Sequence, residues 1–192
     1  SNIFQSIVDF PSTFTSPSVP SVRMTEKDIL YISSFRPSGD PFWPGSIKGY
    51  QLNSDGTLPV DANGNPLNAP VWNASIPSSG SRVIKTYVGG ALKEFNSSNL
   101  TPGDLGLETE ANPDQARNDL VSYIRGLPLG DVFHSNSVII GSPSGFYVEE
   151  GFSGVGGFYE NNRDRTKVII VGANDGMLHA FDATTGLERW AF

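Results

Sequence analysis

The sequence predicts a mainly β protein of short antiparallel strands, interrupted by one inserted α-helix near residues 113–125. Three observations carry that prediction. Hydrophobic residues make up 38% and charged residues 17% of the 192 positions, both low for a globular chain. Gly, Pro, Ser, Asn and Thr supply the balance, which favours many turns over packed helices. Residues 168–192 then read as three strands joined by two tight turns, and only residues 112–126 combine helical periodicity with helix-end signals.

Residues 1–28 are rich in Ser, Pro and Thr, with Pro11, Pro17 and Pro20 unable to hold central ladder positions. Ile3, Phe4, Ile7, Val8 and Phe10 are apolar anchors, so an extended strap lying on a neighbour is expected, with a flexible linker as the plainer alternative. Residues 29–35 alternate as a strand, and 35–44 form a Pro- and Gly-rich loop carrying Trp43. Residues 46–52 and 57–60 flank Asn53-Ser54-Asp55-Gly56, a hairpin signal. Residues 82–87 and 91–95 predict a second hairpin across Gly89-Gly90.

The helix follows. Asn112 is its predicted cap, Pro113 suits the first turn, and Gln115 sits where a capping box wants a side-chain partner. Ala116, Leu120, Val121, Tyr123 and Ile124 recur on one face, and Gly126 is read as the stop. Residues 132–141 predict another strand, and 141–158 a glycine-rich loop bearing Phe146, Tyr147, Phe152 and Phe158.

Val168, Ile169, Ile170 and Val171 predict a strand buried on both faces. Asn174-Asp175-Gly176 reverses the chain into a return strand over 177–181. In the next turn, the Asp182 carboxylate is placed to accept the following backbone amides, with Gly186 in the left-handed position. Residues 188–192, with Trp190, close the series.

Chemistry is restricted by what is present. A net charge of −7 argues against nucleic acid and anionic lipid as partners, since both need a basic surface. With no cysteine, disulfides and thiolate sites are excluded. No apolar run approaches the roughly 20 residues of a membrane helix. His134 and His179 are the two histidines. His134 with Asp131 and Ser135 has the residue types of a triad, but neighbours along a strand point apart, so a loop pinned by hydrogen bonds is the preferred reading. His179 is expected as a packed or semi-exposed strand residue. Asp61, Asn63 and Asn65 place oxygen donors at alternate positions, like the opening of a calcium loop. Pro66 and Trp72 then stand where such a loop needs Gly and Glu, so a hairpin turn is preferred.

The spacing Ala180-x-Asp182-x-x-Thr185-Gly186-x-x-x-Trp190 resembles the repeat of quinoprotein-type β-propellers, whose tryptophan docks between blades. The run 172–181, with Leu129-Gly130-Asp131-Val132-Phe133-His134-Ser135, Asp61-Ala62-Asn63-Gly64 and Phe35-Arg36-Pro37-Ser38, resembles the PilY/PilC family of type IV pilus tip-associated proteins across 29–192. The resemblance implies that residues 29–192 are the opening part of a β-propeller, and that Asn174, Asp175, Gly176, Asp182, Gly186 and Trp190 form its blade motif. A propeller closes at roughly four or more blades, so this one is expected to continue past Phe192 or to be completed by another chain.

The same resemblance implies a non-enzymatic, exported protein at the cell surface or pilus tip. It would support pilus assembly, oppose retraction and contact pilins, minor pilins or a host or surface receptor. It implies calcium elsewhere in the full-length protein and no cofactor in this segment. A generic exported propeller is the alternative. A pyrroloquinoline quinone enzyme is the more distant one, because the scaffold does not carry the chemistry.

Overall fold

A computed structural model describes residues 29–35, 43–62, 65–133 and 135–192. The expected strap over 1–28, most of the loop after Phe35, Asn63, Gly64 and His134 lie outside the described residues. The described part is mainly β, in three antiparallel sheets.

The first sheet runs β1 (Ile29–Phe35), β2 (Gly45–Gln51), β3 (Trp72–Asn73) in that order. Its two long strands pair from Ile29 with Gln51 to Phe35 with Gly45. Period-two alternation turns Tyr31, Ser33 and Phe35 inward from β1, and Ile47 inward from β2. Residues 57–60 are not a strand, contrary to the sequence reading. The partners of β2 are β1 and β3, and Val60 makes only an isolated bridge to Pro66. The Asn53-Ser54-Asp55-Gly56 turn does form, closed by Gly56 N–H on the Asn53 carbonyl and Thr57 N–H on the Asp55 carboxylate.

The second sheet is the hairpin β4 (Lys85–Val88) and β5 (Ala91–Glu94). Gly89 and Gly90 take φ values of 61° and 78°, as a two-residue turn with the right twist demands. Helix α1 (Pro113–Gly126) follows, and the Asn112 side chain accepts from Gln115 N–H as expected. The reciprocal half of the capping box does not form, because the Gln115 amide donates to Asp119 at 2.7 Å. Gly126 is still helical. The stop comes at Leu127, driven extended (ψ 135°) by the following Pro128. On the predicted apolar face Val121 is buried and Tyr123 is exposed; Ile124 packs against Ile84, Met177 and Ala191.

The third sheet is a four-stranded meander: β6 (Val138–Ile140), β7 (Val168–Gly172), β8 (Leu178–Asp182) and β9 (Glu188–Ala191). The strand predicted over 132–141 shrinks to β6; before it, Ser135 accepts from Gly172 N–H of β7 and Ser137 pairs with the Ser33 hydroxyl of β1. A short helix, α2 (Phe158–Asn162), interrupts the loop between β6 and β7. Strand β7 buries Ile169 and Val171 fully while Val168 and Ile170 are only partly covered, so one face is sealed rather than two.

The main core joins the first and third sheets. Tyr31, Ile47 and Trp72 meet Ile169, Val171, Phe181 and Ala183, with Leu129 and Val132 from the connecting segment. Strand β9 and Leu187 just before it are tied to the segment before β4 by parallel bridges, Ser75 to Leu187 and Ile84 to Ala191.

Candidate functional site

The turn over 182–186 is built as the sequence predicts. One Asp182 carboxylate oxygen accepts Thr184 N–H at 2.9 Å and Thr185 N–H at 3.1 Å, and Gly186 has φ 72°. The seat it makes is for Trp72 of β3. Trp72 lies over Gly186, where a Cβ would stand 2.4 Å from its ring, and donates its indole N–H to the Ala183 carbonyl at 3.0 Å. Beneath the same indole, a Cβ on Gly49 would stand 2.8 Å away. Two glycines and one carbonyl therefore shape the pocket of Trp72. Trp190 is only partly buried, in an apolar groove of about 420 Å³ with Val83, Leu92, Leu178 and Phe192.

The turn over 173–177 does more than reverse the chain. Gly176 takes φ 87°, and Asn174 donates its side-chain amide to Asp131 at 2.6 Å. Asp175 is almost entirely withdrawn from solvent. Its oxygens accept Met177 N–H at 3.0 Å and Gly130 N–H at 2.9 Å, and both lie 3.0–3.1 Å from His179 Nε2. The other ring nitrogen, Nδ1, is 2.7 Å from Glu188 Oε1. Arg82 grips Glu188 from behind, Nε to Oε2 at 2.7 Å and Nη2 to Oε1 at 2.9 Å, and its Nη1 donates to the Leu127 carbonyl at 2.9 Å. Arg125 of α1 holds the Arg82 carbonyl in turn, at 2.6 Å.

The charges alternate along this line: Arg82, Glu188, His179, Asp175. The side chains of His179, Arg82 and Glu188 are fully buried. Burial alone would lower the His179 pKa, but the hydrogen bonds and charges of Asp175 and Glu188 outweigh it and raise it. Burial would raise Asp175 and Glu188. His179 lowers both, helped by the Gly130 and Met177 amides at Asp175 and by Arg82 at Glu188. Unpaired, such charges would be expelled from a core; paired in sequence, they hold one another there. The sequence reading missed this network, although a His four residues after an Asp, with Glu on the next strand, was its only available trace.

The remaining candidates act as turn closures. The Asp61 carboxylate accepts Asn65 N–H at 2.8 Å and its side-chain amide at 3.0 Å, and Trp72, twelfth from Asp61, is buried in the core. Among the described residues, no cluster of three His, Asp or Glu side chains is arranged for a metal. Ser135 Oγ accepts Gly172 N–H at 3.1 Å, and Asp131 takes the Asn174 amide, so both pin loops to the third sheet. Among the described residues no helix is long and apolar enough to cross a membrane.

A type IV pilus biogenesis factor PilY1 homolog of Xylella fastidiosa is 31% identical over 199 aligned residues, spanning 97% of this chain and 15% of that protein. Type IV pilus biogenesis factor PilY1 of Pseudomonas aeruginosa strain UCBPP-PA14 is 27% identical over 191 residues, covering 84% of this chain and 16% of that protein. Its counterpart in strain PAK is 28% identical over 204 residues. No family model and no solved structure matches. Fold and site define a mainly β scaffold whose buried charges bind one another. The chain belongs to the PilY1 family and spans about a sixth of the length of these curated relatives.

Proposed function

We propose that this chain is the opening part of a β-propeller domain in a type IV pilus biogenesis factor at the cell surface, and that it works by binding rather than catalysis. The observation that carries the reading is the similarity to PilY1 proteins along nearly the whole chain. The meander β6-β7-β8-β9 supports the propeller part, because four antiparallel strands in sequential order are the unit from which such rings are built. The seating of Trp72 on the Asp182–Gly186 turn supports it too, as contact between one sheet and the next. Trp190, on the last strand of its own sheet, then awaits the equivalent turn of a further sheet.

In this reading the rigid sheets present loops to pilins, minor pilins or a surface receptor. The loop between β6 and β7 is the contact region, with Phe146 92% and Val148 83% exposed. The test is made in the full-length factor within its own bacterium. Trp72→Ala is expected to abolish surface pili and twitching motility. Phe146→Ser with Val148→Ser is expected to leave piliation intact and weaken attachment. Normal piliation and motility after removal of residues 29–192, with the shortened protein still exported, would overturn the assignment.

A further inference from the structure

His179 has a carboxylate on each ring nitrogen, and an ionised carboxylate can only accept. Both nitrogens must therefore donate, which makes the buried ring an imidazolium. Its partners sit on different parts of the fold. Asp175 belongs to the β7–β8 turn and holds Gly130, which bridges to Pro44 beside the first sheet. Glu188 belongs to β9 and is held by Arg82, whose guanidinium binds the Leu127 and Arg125 carbonyls at the end of α1. Arg125 braces Arg82 through its carbonyl, and Asp131 braces the turn through Asn174. One proton thus sits where the first sheet, the third sheet and the helix meet.

We propose that His179 is a pH-sensitive tie joining these three elements, closed when its ring is doubly protonated and opened when the ring loses the Nε2 proton to water. The shorter bond, to Glu188 at 2.7 Å, keeps the Nδ1 proton. After deprotonation the Nε2 lone pair faces the Asp175 carboxylate, and acceptor meets acceptor in a site almost withdrawn from solvent. Glu188 keeps Arg82, so the Asp175 end gives way: the turn over 173–177 and the Gly130 contact loosen while β9 stays paired. Because the His179 value is raised, the stability this tie contributes is complete below the ordinary imidazole range and is lost as pH rises through the raised value. Asp175 and Glu188 are lowered, so their contribution is present above the ordinary carboxylate range and is lost only as pH falls through the lowered values.

Nitrogen-15 NMR of the 192-residue chain tests this directly, with the His179 signals assigned by contact with the Phe181 ring, 5.9 Å away. Two protonated ring nitrogens are expected at pH 7. Between the ordinary imidazole range and the midpoint of their titration, hydrogen-exchange protection of the Gly130 and Met177 amides should fall by up to about tenfold per pH unit relative to the β1–β2 ladder, then level off. In His179→Gln that extra loss should vanish. A neutral ring with one N–H at pH 7 would sink the proposal. So would Gly130 and Met177 protection that follows the β1–β2 ladder throughout. The ring measurement uses the unaltered chain, so the result stands even where the variant fails to fold.

Discussion

Trp72 and Trp190 each stand on the last strand of their sheet, yet one is sealed and the other lies in an open groove. The difference is the presence of a turn. Over Trp72, residues 182–186 supply a carbonyl for the indole N–H and a glycine that lets the ring lie flat against backbone. Around Trp190, among the described residues, stand the side chains of Val83, Lys85, Leu92, Leu178, Arg189 and Phe192 instead. A tryptophan buries fully when a backbone turn from another sheet meets both its apolar face and its polar edge.

Substitutions can break or sharpen that contrast. Trp72→Ala should be the most damaging, lowering unfolding free energy by about 3–5 kcal/mol in urea titrations, because it empties a pocket shared by two sheets. Gly186→Ala should follow, at about 2–4 kcal/mol, since the new Cβ meets both a left-handed backbone and the indole. Trp190→Ala in the 192-residue chain should lower stability by less than about 1.5 kcal/mol, because the ring is only partly withdrawn from water. A loss from Trp190→Ala equal to that from Trp72→Ala would erase the distinction. Lys85→Ala, at the groove rim, should leave the melting midpoint within error, because its ion pair with Glu94 is solvent-exposed.

What the sequence made legible was local. The Asp182–Gly186 and Gly89-Gly90 turns, the Asn112 cap and strands β7, β8 and β9 each depend on neighbours within a few residues. The misses depend on partners far along the chain. Arg82 finds Glu188 across 106 residues, and Trp72 finds Ala183 across 111. No periodicity marks either pairing. Residues 57–60 failed as a strand for a related reason: an adequate strand pattern needs a free ladder beside it, and β2 had already been taken on both sides. The alternating pattern left His179 packed or semi-exposed; it is fully buried, and such a pattern cannot reveal that the packing is ionic.

The outer side of β9 carries one more consequence. Glu188 N–H reaches the Ser75 carbonyl and Ala191 N–H the Val83 carbonyl, each at 2.9 Å, so both ends of that border are occupied by this chain's own backbone. A border already engaged offers no template for a stranger to zip onto. The segment over 75–84 therefore covers the outer edge of β9 against edge-to-edge pairing.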